Sequence, residues 1–167
     1  MGNIVLIGMP GSGKSTVGVV LAKVMGYQFL DSDLEIQRQE KMRLPQIMEE
    51  KGIEGFIEIE SRVNAELEAE DTVIATGGSV IYTERAMSHL KEIGTVVYLQ
   101  LSYEQLTKRL GDLKCRGVVL RDGQTLEDLY RERVPLYERY ADITISEDGL
   151  SVEETMEKIV RAVENHR

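Results

Sequence analysis

The sequence contains almost no cysteine. Cys115 is the only cysteine among 167 residues. A single thiol cannot form an internal disulfide framework, and it cannot supply the paired thiolates of a metal cluster. Both classes of cysteine-stabilised protein are therefore excluded, and we interpret Cys115 as an ordinary reduced thiol.

Positive charge and long apolar runs are also scarce. The chain has 29 acidic against 20 basic residues, and its formal net charge is -9 at pH 7. Nucleic acids and anionic membranes are bound by basic surfaces, so we expect neither as a partner. No apolar run approaches the length of a membrane span, and the first predicted strand starts too close to the N-terminus to leave room for a signal peptide. We expect a cytoplasmic protein.

Predicted strands and helices alternate along the chain. We place strands at residues 3–7, 27–31, 72–76, 95–101 and 142–146. Helical periodicity occupies about 14–25, 33–42, 44–51, 54–70, 83–92, 103–111, 125–140 and 151–165. Strands separated by helices favour right-handed crossovers and a parallel sheet covered on both faces. We therefore predict an α/β fold with three layers (αβα) in a single domain over residues 1–167.

The most informative motif is Gly8-Met9-Pro10-Gly11-Ser12-Gly13-Lys14-Ser15-Thr16. It fits G-x-x-x-x-G-K-[ST], the phosphate-binding loop (P-loop, Walker A), and it lies between a predicted strand and a predicted helix. In such a loop Lys14 can reach the β- and γ-phosphates, and the Ser15 hydroxyl can ligate Mg²⁺. We predict a nucleoside triphosphate site formed by Gly11, Ser12, Gly13, Lys14, Ser15 and Thr16.

Two carboxylates follow the second predicted strand, in Asp31-Ser32-Asp33. Carboxyl ends of parallel strands collect ligands, so Asp31 can hold water around Mg²⁺ while Asp33 accepts a proton from an attacking hydroxyl. The same residues are also strong choices for capping the helix that follows. The aspartates alone leave capping and catalysis evenly balanced, and the nearby P-loop favours a functional role.

A glycine turn, Thr76-Gly77-Gly78-Ser79, follows the third predicted strand. Paired glycines allow a close backbone approach, and their N–H groups can bind an anion or a hydroxyl. An ordinary turn is the alternative interpretation.

Arginines cluster around a loop-like segment at about 111–124, which we interpret as a lid. They are Arg109, Arg116, Arg121, Arg131, Arg133 and Arg139. Arginines in a lid can clamp phosphates as charge develops during transfer, although most surface arginines are only solvated. Arg133 begins the segment Arg133-Val134-Pro135-Leu136-Tyr137, where a proline inside a predicted helix indicates a specific requirement.

Together these residues resemble the shikimate kinase family, a branch of the nucleoside-monophosphate-kinase-like P-loop kinases. Residues 8–18 resemble the family's opening, Asp31-Ser32-Asp33 its D-x-D, Gly77-Gly78 the start of its Gly-Gly-Gly turn, and residues 133–137 its R-x-P-L-Y. The resemblance implies a five-stranded parallel sheet in the order 2-3-1-4-5. It also implies that Lys14, Ser15, Asp31 and Arg116 serve ATP and Mg²⁺, that Arg109 stacks on adenine, and that Asp33, Gly78 and Arg133 face the acceptor.

Three departures from the family concern the acceptor side and the lid. Ile57 stands where the family's F-R-x-x-E has a carboxylate-binding Arg, Ser79 replaces the third glycine, and the lid reads Arg116-Gly117-Val118-Val119 rather than R-P-L-L. Loss of a charge-assisted carboxylate contact removes on the order of 1.5–3 kcal/mol. We therefore expect preserved ATP handling, altered acceptor recognition, and weak or absent activity on shikimate.

The resemblance predicts an ATP-dependent kinase that phosphorylates a hydroxyl of shikimate or of a related hydroxy acid or polyol, within aromatic amino acid biosynthesis. Predicted catalytic residues are Asp33, Lys14 and Arg116. Predicted acceptor-binding residues are Asp33, Gly77, Gly78, Ser79, Arg133 and Ile57, with the predicted helices at about 33–70 forming much of the acceptor side. Predicted metal ligands are Ser15 and Asp31. We expect a monomer or a weak dimer.

Two alternatives remain open at this point. A nucleotide or sugar-acid kinase of the same superfamily would share the P-loop, but a nucleotide acceptor needs further arginines, and the acceptor-side helices offer only Arg38, Arg43 and Arg62. A catalytically inactive ATP-binding regulatory module is disfavoured because the predicted catalytic residues are intact.

Overall fold

The computed structural model describes residues 2–110 and 120–166. Its strands are β1 (Asn3–Ile7), β2 (Gln28–Asp31), β3 (Thr72–Ala75), β4 (Gly94–Gln100) and β5 (Ile143–Ser146). Its helices are α1 (Lys14–Met25), α2 (Ser32–Glu40), α3 (Leu44–Ala65), α4 (Glu84–Ile93), α5 (Tyr103–Arg109), α6 (Leu126–Tyr140) and α7 (Val152–His166), with a short 3-10 helix at Val80–Tyr82. Each predicted strand is present, and its ends differ from the prediction by one residue at most.

The described strands form one parallel sheet in the order β2-β3-β1-β4-β5, as the family resemblance implies. Successive side chains of β1 alternate between two cores: Ile4 and Leu6 pack on one face, and Val5 and Ile7 pack on the other. The first core is completed by α1 and α7, and the second by α4 and α6. The predicted three-layer αβα architecture is confirmed.

The carboxyl ends of β1 and β3 are joined side by side. Leu6 lies opposite Ala75 in the parallel register. The buried residue Thr76 extends this pairing, since both its backbone N–H (3.2 Å) and its hydroxyl (2.8 Å) donate to the Leu6 carbonyl oxygen. The loop after β1 and the turn after β3 therefore start from one fixed edge of the sheet.

A smaller core lies between α2 and α3. Its buried residues are Ile36, Ile47, Phe56 and Val63. Within α3, Gly52 has φ 73° and ψ 175°, outside the helical region, so it divides the element into the two helices predicted at 44–51 and 54–70. The second of these ends at Ala65 rather than at residue 70.

Other helix ends differ from the prediction for local reasons. The α2 helix starts at Ser32 because Asp31 caps it, and it ends at Glu40 because Lys41 takes a left-handed conformation with φ 56°. The α5 helix ends at Arg109, since the backbone of Leu110 is extended. None of the described helices combines the length and the apolar character needed to cross a bilayer.

The Asn3 side chain holds three backbone groups together at the start of the sheet. Its Nδ2 donates to the carbonyl oxygens of Ala69 (2.8 Å) and Ile93 (2.9 Å), and its Oδ1 accepts from the N–H of Thr72 at 3.0 Å. Only 3% of Asn3 is exposed, so water cannot readily replace these bonds. The Asn3 side chain thus gives hydrogen-bond partners to buried backbone groups in the segments that lead into β3 and β4.

We expect Asn3→Ala to lower the free energy of unfolding by about 2–4 kcal/mol, because buried donors and acceptors lose their partners. Urea denaturation measures the change. Asn3→Asp keeps the acceptor but loses both donated bonds, so it should also destabilise the protein. An Asn3→Ala protein that unfolds at the same urea concentration as the natural sequence would show that these bonds give no net stability.

Candidate active site

A cleft of about 360 Å³ opens at the carboxyl edge of the sheet. The P-loop and α1 form one wall, and the glycine turn (residues 76–79) lies beside them. Side chains from α2, α3 and α6 complete the cleft, among them Asp33, Glu60 and Arg133. The three carboxyl-end segments singled out in the sequence therefore meet in one place, as the rule for open parallel sheets predicts.

The P-loop wraps around the amino group of its own lysine. Lys14 Nζ donates to the carbonyl oxygens of Gly8 at 2.8 Å and Met9 at 2.9 Å. Gly13, which precedes α1, has φ 80°, a conformation that glycine adopts without a steric penalty. Burial lowers the pKa of Lys14 to about 8, because the ammonium is removed from water, although Asp33 and Glu147 oppose the shift.

Asp31 uses its two carboxylate oxygens for different partners. Oδ2 accepts from the Ser15 hydroxyl at 2.8 Å. Oδ1 accepts from the backbone N–H groups of Asp33 (2.9 Å) and Leu34 (3.3 Å), which is the capping role considered in the sequence. Capping and a position beside the P-loop therefore coexist in one side chain.

Asp33 faces the cleft with a buried oxygen. Its Oδ1 has no hydrogen-bond partner among the described residues. Burial raises the pKa of Asp33 to about 6, and the neighbouring Asp31 carboxylate adds to the rise, whereas Lys14 opposes it. Asp33 therefore loses its proton close to neutral pH, which suits a group that accepts a proton during catalysis.

Glu60, the last residue of the segment compared with F-R-x-x-E, is an acidic residue to which the sequence analysis assigned no role. It lies on α3 with 2% exposure and lines the cleft, and the Ser79 hydroxyl donates to its Oε1 at 2.6 Å. Burial raises the pKa of Glu60 to about 8; Asp33 adds to this rise, whereas Ser79, Arg133 and Lys14 oppose it. A signal was available, because the helical spacing from Phe56 to Glu60 to Asn64 places this carboxyl on the buried face of α3.

Neighbouring residues leave no room for a Cβ at either glycine of the turn. A Cβ on Gly77 would lie 2.6 Å from Asp33 Oδ1 and 2.9 Å from Glu60 Oε2. A Cβ on Gly78 would lie 2.8 Å from an Nη1 atom of Arg133 and 2.8 Å from the Pro10 ring. The backbone of the turn therefore lies close to neighbouring residues, as the paired glycines predicted.

The α6 helix carries Arg133 and Tyr137 into the site one turn apart. Arg133 is 1% exposed, its Nε donates to the Tyr82 hydroxyl at 3.1 Å, and its guanidinium carbon lies 5.2 Å from the centre of the Tyr82 ring. The Tyr137 hydroxyl donates to the Gly78 carbonyl oxygen. The helix continues through Pro135, so the proline does not interrupt the face that carries these two residues.

Of the remaining predicted site residues, one lies beside the P-loop, one is buried away from the cleft lining, and one lies outside the described residues. Arg109 places Nη1 3.4 Å from the Ser12 carbonyl oxygen and 3.9 Å from the buried Glu147 carboxylate, whose pKa is raised to about 7 by burial. Ile57 is buried with 8% exposure and is absent from the described residues that line the cleft. Arg116 and most of the predicted lid lie outside the described residues.

Comparison with known proteins identifies the family. A family model described as shikimate kinase matches residues 10–164. The shikimate kinase of Histophilus somni is 35% identical over 98% of this chain and 95% of its own length. Shikimate kinase 1 of Yersinia enterocolitica is 36% identical over 98% of this chain and 97% of its own length.

Solved structures agree with the sequence comparisons. The shikimate kinase of Acinetobacter baumannii in complex with shikimate superposes with a TM-score of 0.92 at 36% identity, covering 100% of this chain and 95% of that one. The shikimate kinase of Aquifex aeolicus superposes with a TM-score of 0.82 at 34% identity, covering 97% of this chain and 96% of that one. A gluconokinase from Sinorhizobium meliloti is 18% identical and superposes with a TM-score of 0.55, so it shows a shared fold alone. This chain belongs to the shikimate kinase family and is an ATP-dependent kinase that transfers the γ-phosphoryl group to a hydroxyl of a small metabolite.

Proposed function

We propose that the acceptor of this kinase is shikimate, within aromatic amino acid biosynthesis in the cytoplasm. The observation that carries the proposal is the continuous cleft that joins Lys14 of the P-loop to Asp33 and Arg133. Phosphate donor and hydroxyl acceptor would meet in that cleft. The A. baumannii relative, crystallised with shikimate, supports this acceptor.

On the nucleotide side, the P-loop would bind the phosphates of ATP. The residues assigned to this role are Gly11, Ser12, Gly13, Lys14, Ser15 and Thr16. The Lys14 ammonium already contacts two carbonyl oxygens of its loop, so phosphate oxygens would replace or add to existing partners rather than meet a bare cation. Arg109, beside Ser12, is placed next to the same loop and would contact the adenine base.

Mg²⁺ fits the donor set beside the P-loop. The Ser15 hydroxyl and the Asp31 carboxylate are oxygen donors that lie 2.8 Å apart. The described residues contain no group of three or more His, Cys, Asp or Glu that could enclose a metal. A site with few ligands from the protein suits Mg²⁺, because this ion usually keeps several waters and binds substrate phosphates. When bound, Mg²⁺ would neutralise charge on the phosphates.

On the acceptor side, Asp33 would accept the proton of the reacting hydroxyl. Its pKa of about 6 leaves it ionised at neutral pH yet basic enough to take up a proton. The buried Arg133 would pair with the acceptor carboxylate, and the backbone of Gly77 and Gly78 would allow the ring to approach closely. The expected contacts of Ile57 and Arg116, and the monomer or weak dimer, stay predictions.

A nucleotide acceptor is less compatible with the described arginines. Arg38 is paired with Glu35, and Arg62 Nη2 lies 3.2 Å from Glu40. Neither guanidinium lines the cleft in the described part of the chain. The sugar-acid kinase and inactive-module alternatives gain no support from the comparisons.

The test of the function is Mg²⁺-dependent ADP release with shikimate, compared with a panel of related hydroxy acids and polyols. We expect shikimate to be phosphorylated with a raised KM, because Ile57 stands where the family has a second arginine. Lys14→Ala should abolish turnover and severely weaken ATP binding by calorimetry, whereas Lys23→Ala, on the exposed face of the same helix, should change neither. A protein that phosphorylates another member of the panel but not shikimate would overturn the proposed acceptor.

We expect Asp33→Asn to lower kcat by about 10²–10⁴-fold while ATP affinity stays near normal, because the amide cannot accept the proton. In the natural sequence, kcat/KM for the acceptor should fall below about pH 6 as Asp33 becomes protonated. Steady-state kinetics against pH measures both effects. The control is Glu58→Gln, a change at a carboxylate that is 77% exposed. If Asp33→Asn retained most of the turnover, Asp33 would not be the group that accepts the proton.

A further inference from the structure

The glycine turn leads directly into a short helix that ends in a tyrosine. Val80–Tyr82 forms this 3-10 helix, and the N–H of Tyr82 donates to the Ser79 carbonyl oxygen at 3.1 Å. Val80 and Ile81 are buried in the core that α4 and α6 complete, so the short helix is anchored on one side. Tyr82 is half-buried and does not line the cleft in the described part of the chain. It therefore lies behind the acceptor side, and only another side chain can carry its effect into the cleft.

The Tyr82 hydroxyl contacts one end of the Arg133 guanidinium. Arg133 Nε donates to the hydroxyl oxygen at 3.1 Å, and the guanidinium carbon lies 5.2 Å from the centre of the tyrosine ring. The other end of the guanidinium lies at the glycine turn, since a Cβ on Gly78 would come within 2.8 Å of Arg133 Nη1. Tyr82 therefore restrains the Nε end of the guanidinium, whereas Nη1 lies beside the backbone that lines the cleft.

Glu132 fixes the direction in which the Tyr82 hydroxyl points. The hydroxyl donates to Glu132 Oε2 at 2.7 Å, so its hydrogen is directed away from Arg133 and its oxygen accepts from the Nε–H. The hydrogen bond from Tyr82 is the largest of the effects that lower the pKa of Glu132, and burial raises the pKa of Tyr82. Near neutral pH the carboxylate therefore accepts and the phenol keeps its proton. A hydroxyl that donates to a carboxylate is also a stronger acceptor for a cation.

Two residues of the segment before α6 hold Tyr82 and Glu132 in place. Gln124 Nε2 donates to Glu132 Oε2 at 3.2 Å, and Arg121 Nη1 lies 3.9 Å from the same oxygen. The Arg121 guanidinium carbon also lies 5.6 Å from the centre of the Tyr82 ring, within the range of a cation–π contact. Gln124 is oriented in turn by the N–H of Arg121, which donates to its Oε1 at 3.1 Å. Contacts other than Arg133 therefore fix Tyr82, so the tyrosine can impose a position on that arginine.

We propose that Tyr82 is a positioning residue that holds the Arg133 guanidinium, through its Nε–H, in the orientation that receives the acceptor carboxylate. This assignment rests on the proposed function, in which Arg133 pairs with that carboxylate. An unrestrained arginine loses rotamer freedom when it binds a ligand, whereas here that freedom is lost when the chain folds. Such preorganisation matters most for a single cation, and Ile57 stands where the family has a second arginine.

The test is Tyr82→Phe, which removes the hydroxyl and keeps the ring beside Arg133. At saturating ATP, we expect the KM for shikimate to rise roughly tenfold while kcat stays near normal, because the carboxylate is bound equally in the ground and transition states. The matched control is Tyr130→Phe on α6, which loses a hydroxyl bond of 2.9 Å to the Leu101 carbonyl oxygen and should leave this KM unchanged. An unchanged KM in Tyr82→Phe, or an equal rise in both variants, would overturn the role of Tyr82.

A double-mutant cycle separates an effect through Arg133 from general support of the fold. Arg133→Met removes the guanidinium, so the addition of Tyr82→Phe should lower kcat/KM for shikimate no further. Because kcat/KM is measured below saturation, weak binding does not prevent the comparison. If the two losses multiplied, Tyr82 would act independently of Arg133, and the proposal would be wrong.

NMR of the protein without substrates tests the contact itself, and it does not depend on the folding of Arg133→Met. The Arg133 Nε–H signal, assigned by its absence from Arg133→Lys, should exchange with water roughly fivefold faster in Tyr82→Phe and at an unchanged rate in Tyr130→Phe. An unchanged exchange rate in Tyr82→Phe would contradict the proposed restraint. Absence of shikimate phosphorylation by the natural protein would instead overturn the proposed function, whatever the exchange rate.

Discussion

The pairing of β1 with β3 is the constraint on which the site depends. Two bonds from Thr76 to the Leu6 carbonyl oxygen join these strands where each of them ends. The P-loop and the glycine turn must therefore leave the sheet side by side. That arrangement brings Pro10 against Gly78, and it leaves the width of the cleft to be set by α2, α3 and α6. The catalytic geometry is thus a consequence of parallel strand order rather than of any single loop.

Within that geometry, burial determines the charge state of the cleft. Removal from water lowers the pKa of Lys14 to about 8 and raises those of Asp33 and Glu60 to about 6 and about 8. The buried guanidinium of Arg133 adds a second cation among the described lining residues. Near neutral pH the cleft therefore pairs one carboxylate and one neutral carboxyl with two cations. Positive charge suits the phosphates of a donor, and a carboxylate suits a hydroxylated acceptor.

The parts of the molecule predicted from the sequence are those specified by local patterns. The strand–loop–helix context identified the P-loop. The end of the second strand indicated either a cap or a metal-side role for Asp31, and the side chain both caps α2 and lies beside Ser15. Glu60 escaped prediction because its chemistry depends on burial between α3 and the glycine turn, which are distant in sequence. Ile57 was predicted at the acceptor; it is buried next to Phe56, which lines the cleft, and its contact with an acceptor stays a prediction.

The central claim is that Asp33 and Glu60 occupy one cleft in opposite protonation states. Carboxyl carbon NMR titration of the intact protein tests it directly, with Asp33→Asn and Glu60→Gln used to assign the two signals. We predict that the Asp33 signal reports ionisation near pH 6 and that the Glu60 signal changes only near pH 8. A Glu60 carboxyl that ionises near its ordinary value, or below Asp33, would contradict the account.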